Sequence, residues 1–77
     1  EEFVILLRDA DIEDAVVTAE KLRGLIADNV FLDAGLVTAS IGASELTAGD
    51  DLDSWLAHAD EALYKAKRSG RNAVRAY

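Results

Sequence analysis

Lys67 and Arg71 stand four residues apart near the C-terminal end of the chain, with Gly70 between them. They belong to a basic cluster. Five of the eight Lys and Arg residues fall between Lys65 and Arg75, whereas all fifteen acids lie at or before Glu61. Such a cluster suits an anion, because Lys gives a compact charge and Arg a forked set of donors that fits phosphate oxygens. It equally offsets the dipole at a helix C-terminus, which requires no ligand. At the other end of the chain, Glu1 and Glu2 are adjacent carboxylates, the hard oxygen donors that Mg²⁺ or Mn²⁺ takes. Neighbouring residues on a flat strand point to opposite faces, so both could serve one cation only from a turn. On spacing alone they read as two solvated acids. His58 has no second nitrogen or sulfur ligand in the sequence, since it is the single histidine and cysteine is absent. It is expected to be exposed.

The element that must carry the basic cluster runs from Asp51 to Asn72. Leu52, Trp55, Leu56, Ala59, Ala62, Leu63 and Ala66 recur every three or four positions, the stripe of an amphipathic helix of about five turns. Trp55 lies on that stripe and is expected in the core. Asp50 or Asp51 caps the first turn, and Gly70 falls where a left-handed C-cap belongs. Upstream, Phe3 to Leu7 is an unbroken apolar run of strand length. Asp11 then caps a helix whose apolar positions are Ile12, Ala15, Val16, Ala19, Leu22 and Ile26; Gly24 is expected to fray its end. Asp28 to Gly35 reads as a loop with Phe31 or Leu32 dipping inward, and Leu36 to Ala43 as a second strand. Ser44 to Asp50 leads into the long helix, and Ala73 to Tyr77 alternates as a short last strand. The order β-α-β-α-β favours crossover connections, an α/β unit with two helices packed on one small sheet.

Seventy-seven residues make one domain and no more, and a chain this short folds with little stability to spare. The formal charge of −7 argues against nucleic-acid binding. No apolar run approaches the roughly 18 residues of a membrane span, so direct membrane contact from this segment is not expected. The absence of cysteine leans toward the cytoplasm, as a cytoplasmic protein or the cytoplasmic domain of a longer, membrane-anchored one. The missing initiator Met and the abrupt acidic start read as a piece of a longer chain.

Within the long helix and its exit, Ala59 to Asn72 spells ADEALYKAKRSGRN. This closely resembles the final-helix signature of GGDEF domains, the diguanylate cyclases of bacterial signalling, which runs A-D-x-A-L-Y-x-A-K-x-x-G-R-N. EEFVILL at the start resembles the tail of a GG(D/E)EF motif and its following strand, and Val37 to Ala43, VTASIGA, resembles the family's V-T-x-S-I-G-(V/A) strand. The resemblance implies an α+β, ferredoxin-like palm of which residues 1–77 are the C-terminal half. It implies condensation of two GTP molecules into cyclic di-GMP by a homodimer, each domain holding one GTP, with Mg²⁺ or Mn²⁺ bridging phosphates. Carried over by position, Glu1 would be a metal ligand and candidate base, Glu2 a second metal ligand, and Lys67 and Arg71 the contacts to the GTP phosphates. Asp60 and Asn72 would brace the structure, and Lys21 falls where some members carry a basic residue of an inhibitory dinucleotide site. The family's D-(F/L/V)-D metal motif, its guanine-reading Asn and Asp, the two glycines before the acids and the R-x-x-D inhibitory motif are not in these residues. An inactive piece of a cyclase is therefore expected. The alternative is a degenerate GGDEF-like module that binds or regulates without catalysis.

Overall fold

Small side chains set the geometry of this molecule. The computed structural model describes residues 2–31 and 35–77; the side chains of Val30, Phe31 and Leu36 lie outside that description. Its elements are α1 (Ile12–Ala27), β1 (Val30–Phe31), β2 (Gly35–Leu36), β3 (Ile41–Ala43), α2 (Leu52–Arg68) and β4 (Val74–Ala76). β3 and β4 pair in parallel with Ile41 opposite Val74 and Ala43 opposite Ala76, so α2 is the crossover between them. Both helices pack against this pair, giving a small α/β unit.

α2 lies close enough to β3 that a Cβ on Gly42 would run into the Ala59 carbonyl and the Leu63 amide. Ala59, Ala62 and Ala66 make that approach possible, and Ala62 and Ala66 are fully buried. The start of α2 is fixed by a capping box: Asp51 Oδ1 accepts the Ser54 N–H at 2.8 Å, and the Ser54 hydroxyl accepts the Asp51 N–H at 3.1 Å. Its end is a Schellman turn. Gly70 takes φ 109°, and the Arg71 N–H reaches back to the Ala66 carbonyl at 3.2 Å. α1 has its own capping box between Asp11 and Asp14, and Glu45, two residues past the end of β3, accepts the Ile12 N–H at 2.8 Å.

Four expectations change. Phe3 to Leu7 is not a strand: it is irregular, and Phe3 to Leu6 are between 63% and 82% exposed. A strand exists only where a neighbour takes its N–H and C=O groups, and among the described residues the β3–β4 pair takes no third strand. The strand expected over Leu36–Ala43 is two short ones with different partners, because β2 turns back on β1 while β3 pairs with β4. The loop expected over 28–35 therefore has antiparallel rungs at its base, Val30 with Leu36 and Phe31 with Gly35; the inward dip of Phe31 or Leu32 lies outside the described residues. Finally, α1 does not fray at Gly24, whose carbonyl accepts the Asp28 N–H at 2.9 Å. No helix of the described residues is long and apolar enough to cross a membrane.

Candidate functional site

The face of α2 that carries Asp60, Leu63, Tyr64 and Lys67 is one helical stripe at spacings of three, one and three. With Glu2 it lines a shallow depression of about 220 Å³. The Lys67 Nζ lies 3.6 Å from Glu2 Oε2, so a carboxylate from the start of the chain faces an ammonium near its end. Both groups are exposed to solvent, at 39% and 67%, and such a pair contributes at most about 1 kcal/mol. Its effect is to gather two opposite charges at an open surface. Glu1 lies outside the described residues.

Arg71 is placed differently. It is exposed on the turn after α2, with φ 63°, and is not among the residues lining the depression. Lys67 and Glu2 are thus brought together, whereas Arg71 stands beyond the end of the helix. Asn72 follows with φ 45°, and its side-chain carbonyl accepts a hydrogen bond from Arg23 Nη1 at 2.8 Å, which gives it the bracing role expected. Arg68 is turned toward Tyr64, donating to its hydroxyl at 3.0 Å with the guanidinium 5.6 Å from the ring centre. Lys21 is exposed on α1. Sequence reasoning missed Tyr64 as a site-lining residue, although its offset of three from Lys67 was a usable signal. It also missed Arg23, whose partner lies far along the chain.

A second cluster corrects the expectation for His58. Its ring stacks on Tyr77 with centroids 3.9 Å apart and an interplanar angle of 13°, and its Nδ1 is 3.7 Å from Asp50 Oδ1. It is half-buried rather than exposed, because the C-terminal residue continues the β3–β4 ladder, with the Tyr77 N–H on the Ala43 carbonyl at 2.8 Å, and folds its ring over α2. Asp50 is held below the ordinary carboxylate range, chiefly by the Thr47 N–H, then by the hydroxyls of Ser54 and Thr47, with the nearby His58 adding to them. Trp55 is half-buried on α2. Its indole N–H donates to the Ser44 carbonyl at 3.1 Å while the Ser44 hydroxyl donates to the Trp55 carbonyl at 3.0 Å. These bonds lock the connection into α2.

The sequence profile of the family described as "Diguanylate cyclase, GGDEF domain" matches residues 1–73. The chain belongs to the GGDEF family. Similar proteins include the response regulator PleD of Caulobacter vibrioides, 41% identical over 80 residues that cover 96% of this chain and 18% of that protein. A diguanylate cyclase of Vibrio cholerae is 39% identical over 74 residues, covering 94% of this chain and 23% of its own length. The diguanylate cyclase DgcM of Escherichia coli is 36% identical over 74 residues, covering 96% and 18%. The chain thus spans about a fifth of the length of these relatives.

A GGDEF reading implies a divalent cation beside the acids. Among the described residues no three carboxylates or imidazoles gather into a cage. The donor set nonetheless fits Mg²⁺ or Mn²⁺. Glu2 presents an exposed carboxylate at the depression, with Asp60 lining it too, and Mg²⁺ keeps waters and phosphate oxygens among its ligands, needing only one or two carboxylates.

Proposed function

We propose that this chain is the phosphate-holding, C-terminal half of a diguanylate cyclase domain that condenses two GTP molecules into cyclic di-GMP in the cytoplasm. The observation supporting this is the meeting of Lys67 and Glu2 at an open depression on the helix that spells the GGDEF signature. Lys67 receives the phosphate oxygens as a point charge, exchanging Glu2 for the nucleotide. Arg71, just past the helix end, closes on the same phosphates with two parallel N–H donors. Glu1 and Glu2 would hold Mg²⁺ or Mn²⁺, which would supply charge to offset that developing on the phosphates. What the side chains do is orientation: they hold the α-phosphate of one GTP in line for the 3′-hydroxyl of the other, with pyrophosphate leaving. Each domain holds one nucleotide, so the working unit is a homodimer. The 77 residues by themselves do not turn over GTP, since they hold no guanine-reading side chains of the family type.

The test uses a complete cyclase carrying this segment. Lys67→Ala and Arg71→Ala are each expected to raise the GTP KM about tenfold or more, as a hydrogen bond to a charged group contributes about 1.5–3 kcal/mol. Circular dichroism should be unchanged. The same chromatographic assay on the isolated 77 residues should yield no cyclic di-GMP. Normal GTP saturation in both variants would return the basic cluster to a helix-dipole role. Tight GTP binding by the complete protein without any cyclic product would make it a regulatory module.

A further inference from the structure

Three consecutive residues after α2 adopt left-handed backbone: Gly70 at φ 109°, Arg71 at 63° and Asn72 at 45°. Glycine does so freely, whereas Arg and Asn do so at a cost and persist there when their surroundings hold them. On one side of Asn72 the Arg71 N–H is tied to Ala66, and on the other the Ala73 carbonyl accepts the Ile41 N–H at 2.9 Å. At Asn72 itself the tie is its side chain on Arg23. The Arg23 guanidinium is not a loose cation. Its Nε donates to Glu20 Oε1 at 2.7 Å, its Nη1 donates to Asn72 at 2.8 Å, and the side chain is 23% exposed. Glu20 aims the fork and Asn72 receives its other prong.

We infer that Arg23 is a positioning residue for nucleotide binding: from α1 it clamps Asn72, and so fixes the backbone from which Arg71 reaches the phosphates. This rests on the phosphate role proposed for Arg71. A lysine cannot replace the clamp, because one ammonium does not offer two donors in a fixed fork. A role for Arg23 as a mere positive charge near phosphate would, in contrast, survive that exchange.

The experiment is steady-state kinetics of a complete cyclase carrying this segment, with Arg23→Ala, Arg23→Lys, Asn72→Gly, the Arg23→Ala/Asn72→Gly double variant and Arg71→Ala. Glycine at position 72 keeps the left-handed backbone available while removing the receiving side chain. Arg23→Ala, Arg23→Lys and Asn72→Gly are each expected to raise the GTP KM about five- to tenfold, the equivalent of one lost hydrogen bond, with kcat held within about twofold. The double variant should be no worse than the weaker single, because both remove one interaction. A wild-type KM in Arg23→Lys, or additive losses in the double variant, would overturn the clamp. An unchanged KM in Arg71→Ala would remove the phosphate role and this inference together. A raised KM in Arg71→Ala with an unchanged KM in Arg23→Ala would overturn this inference alone.

Discussion

The Asp50 carboxylate accepts the Thr47 N–H at 3.0 Å, the Thr47 hydroxyl at 2.9 Å and the Ser54 hydroxyl at 2.8 Å, one residue ahead of the α2 cap. All three donors favour its ionised form, which is why its pKa lies below the ordinary 3.8. A carboxyl whose folded value is depressed contributes stability above its unfolded value. That contribution is lost as pH falls from about 4 through the lowered folded value. Asp50→Asn is therefore expected to be less stable than the parent at neutral pH, with the gap narrowing as pH drops below about 4. Urea midpoints measured from pH 7 down to 3 give the comparison, and parallel curves for the two proteins would contradict it. This cluster also shows where residue-level reading stops. The Thr47–Asp50–Ser54 turn is local and its capping types were legible. His58 was misread as exposed because its cover, Tyr77, arrives only through the parallel pairing of β4 with β3. Lys67 was singled out by its helical motif, yet nothing in the spacing of the chain announces that Glu2 would face it.

α2 rests on β3 through backbone rather than through interlocking side chains. An added Cβ at Gly42 would approach the Leu63 Cα to 2.7 Å as well as the Ala59 carbonyl, and helix backbone cannot swing aside as a side-chain tip can. Gly42→Ala is expected to destabilise the fold toward the upper end of the roughly 1–3 kcal/mol typical of overpacking. Gly24→Ala is the internal contrast. Its added methyl meets nothing within 4 Å on a regular helix, so it should stabilise by up to about 1 kcal/mol. Denaturant midpoints of the two variants should shift in opposite directions, and a tolerated Gly42→Ala would mean that α2 rides higher on the sheet. The helices were legible because three-to-four spacing and caps are properties of a few neighbouring residues: Asp11 and Asp51 are the observed caps, and Gly70 closes α2. The strands were legible only as apolar runs. Whether Phe3–Leu7 or Leu36–Ala43 becomes strand depends on which partner each finds, and no run of residues carries that information by itself.

The buried residues among those described are Ala19, Ala43, Ala62 and Ala66, and no large side chain among the described residues is fully enclosed. Ile41, Trp55, Leu56 and Leu63 are half-buried between α2 and the strands, whereas Phe3 is 82% exposed, and Val4, Ile5 and Leu6 are each more than 60% exposed in one continuous segment. Alanine burial alone supplies little hydrophobic stabilisation at about 25 cal/mol per Å², so a 77-residue unit of this kind gains much by covering that segment. An exposed apolar stretch that joins no strand ladder among the described residues is also a template for another chain. The isolated 77 residues are accordingly expected to self-associate through Phe3–Leu7, most simply as a two-fold dimer, since that operation satisfies both copies at once. Sedimentation over a concentration series should show the mass rising toward the dimer. Ile5→Asp should push the equilibrium back toward monomer, because it sets like charges near each other in a surface that must lose its water. The same substitution leaves α2, β3 and β4 untouched, so helix content by circular dichroism should hold. A parent chain that stays monomeric at high concentration, or an Ile5→Asp variant that associates as strongly, would move the contact away from this segment.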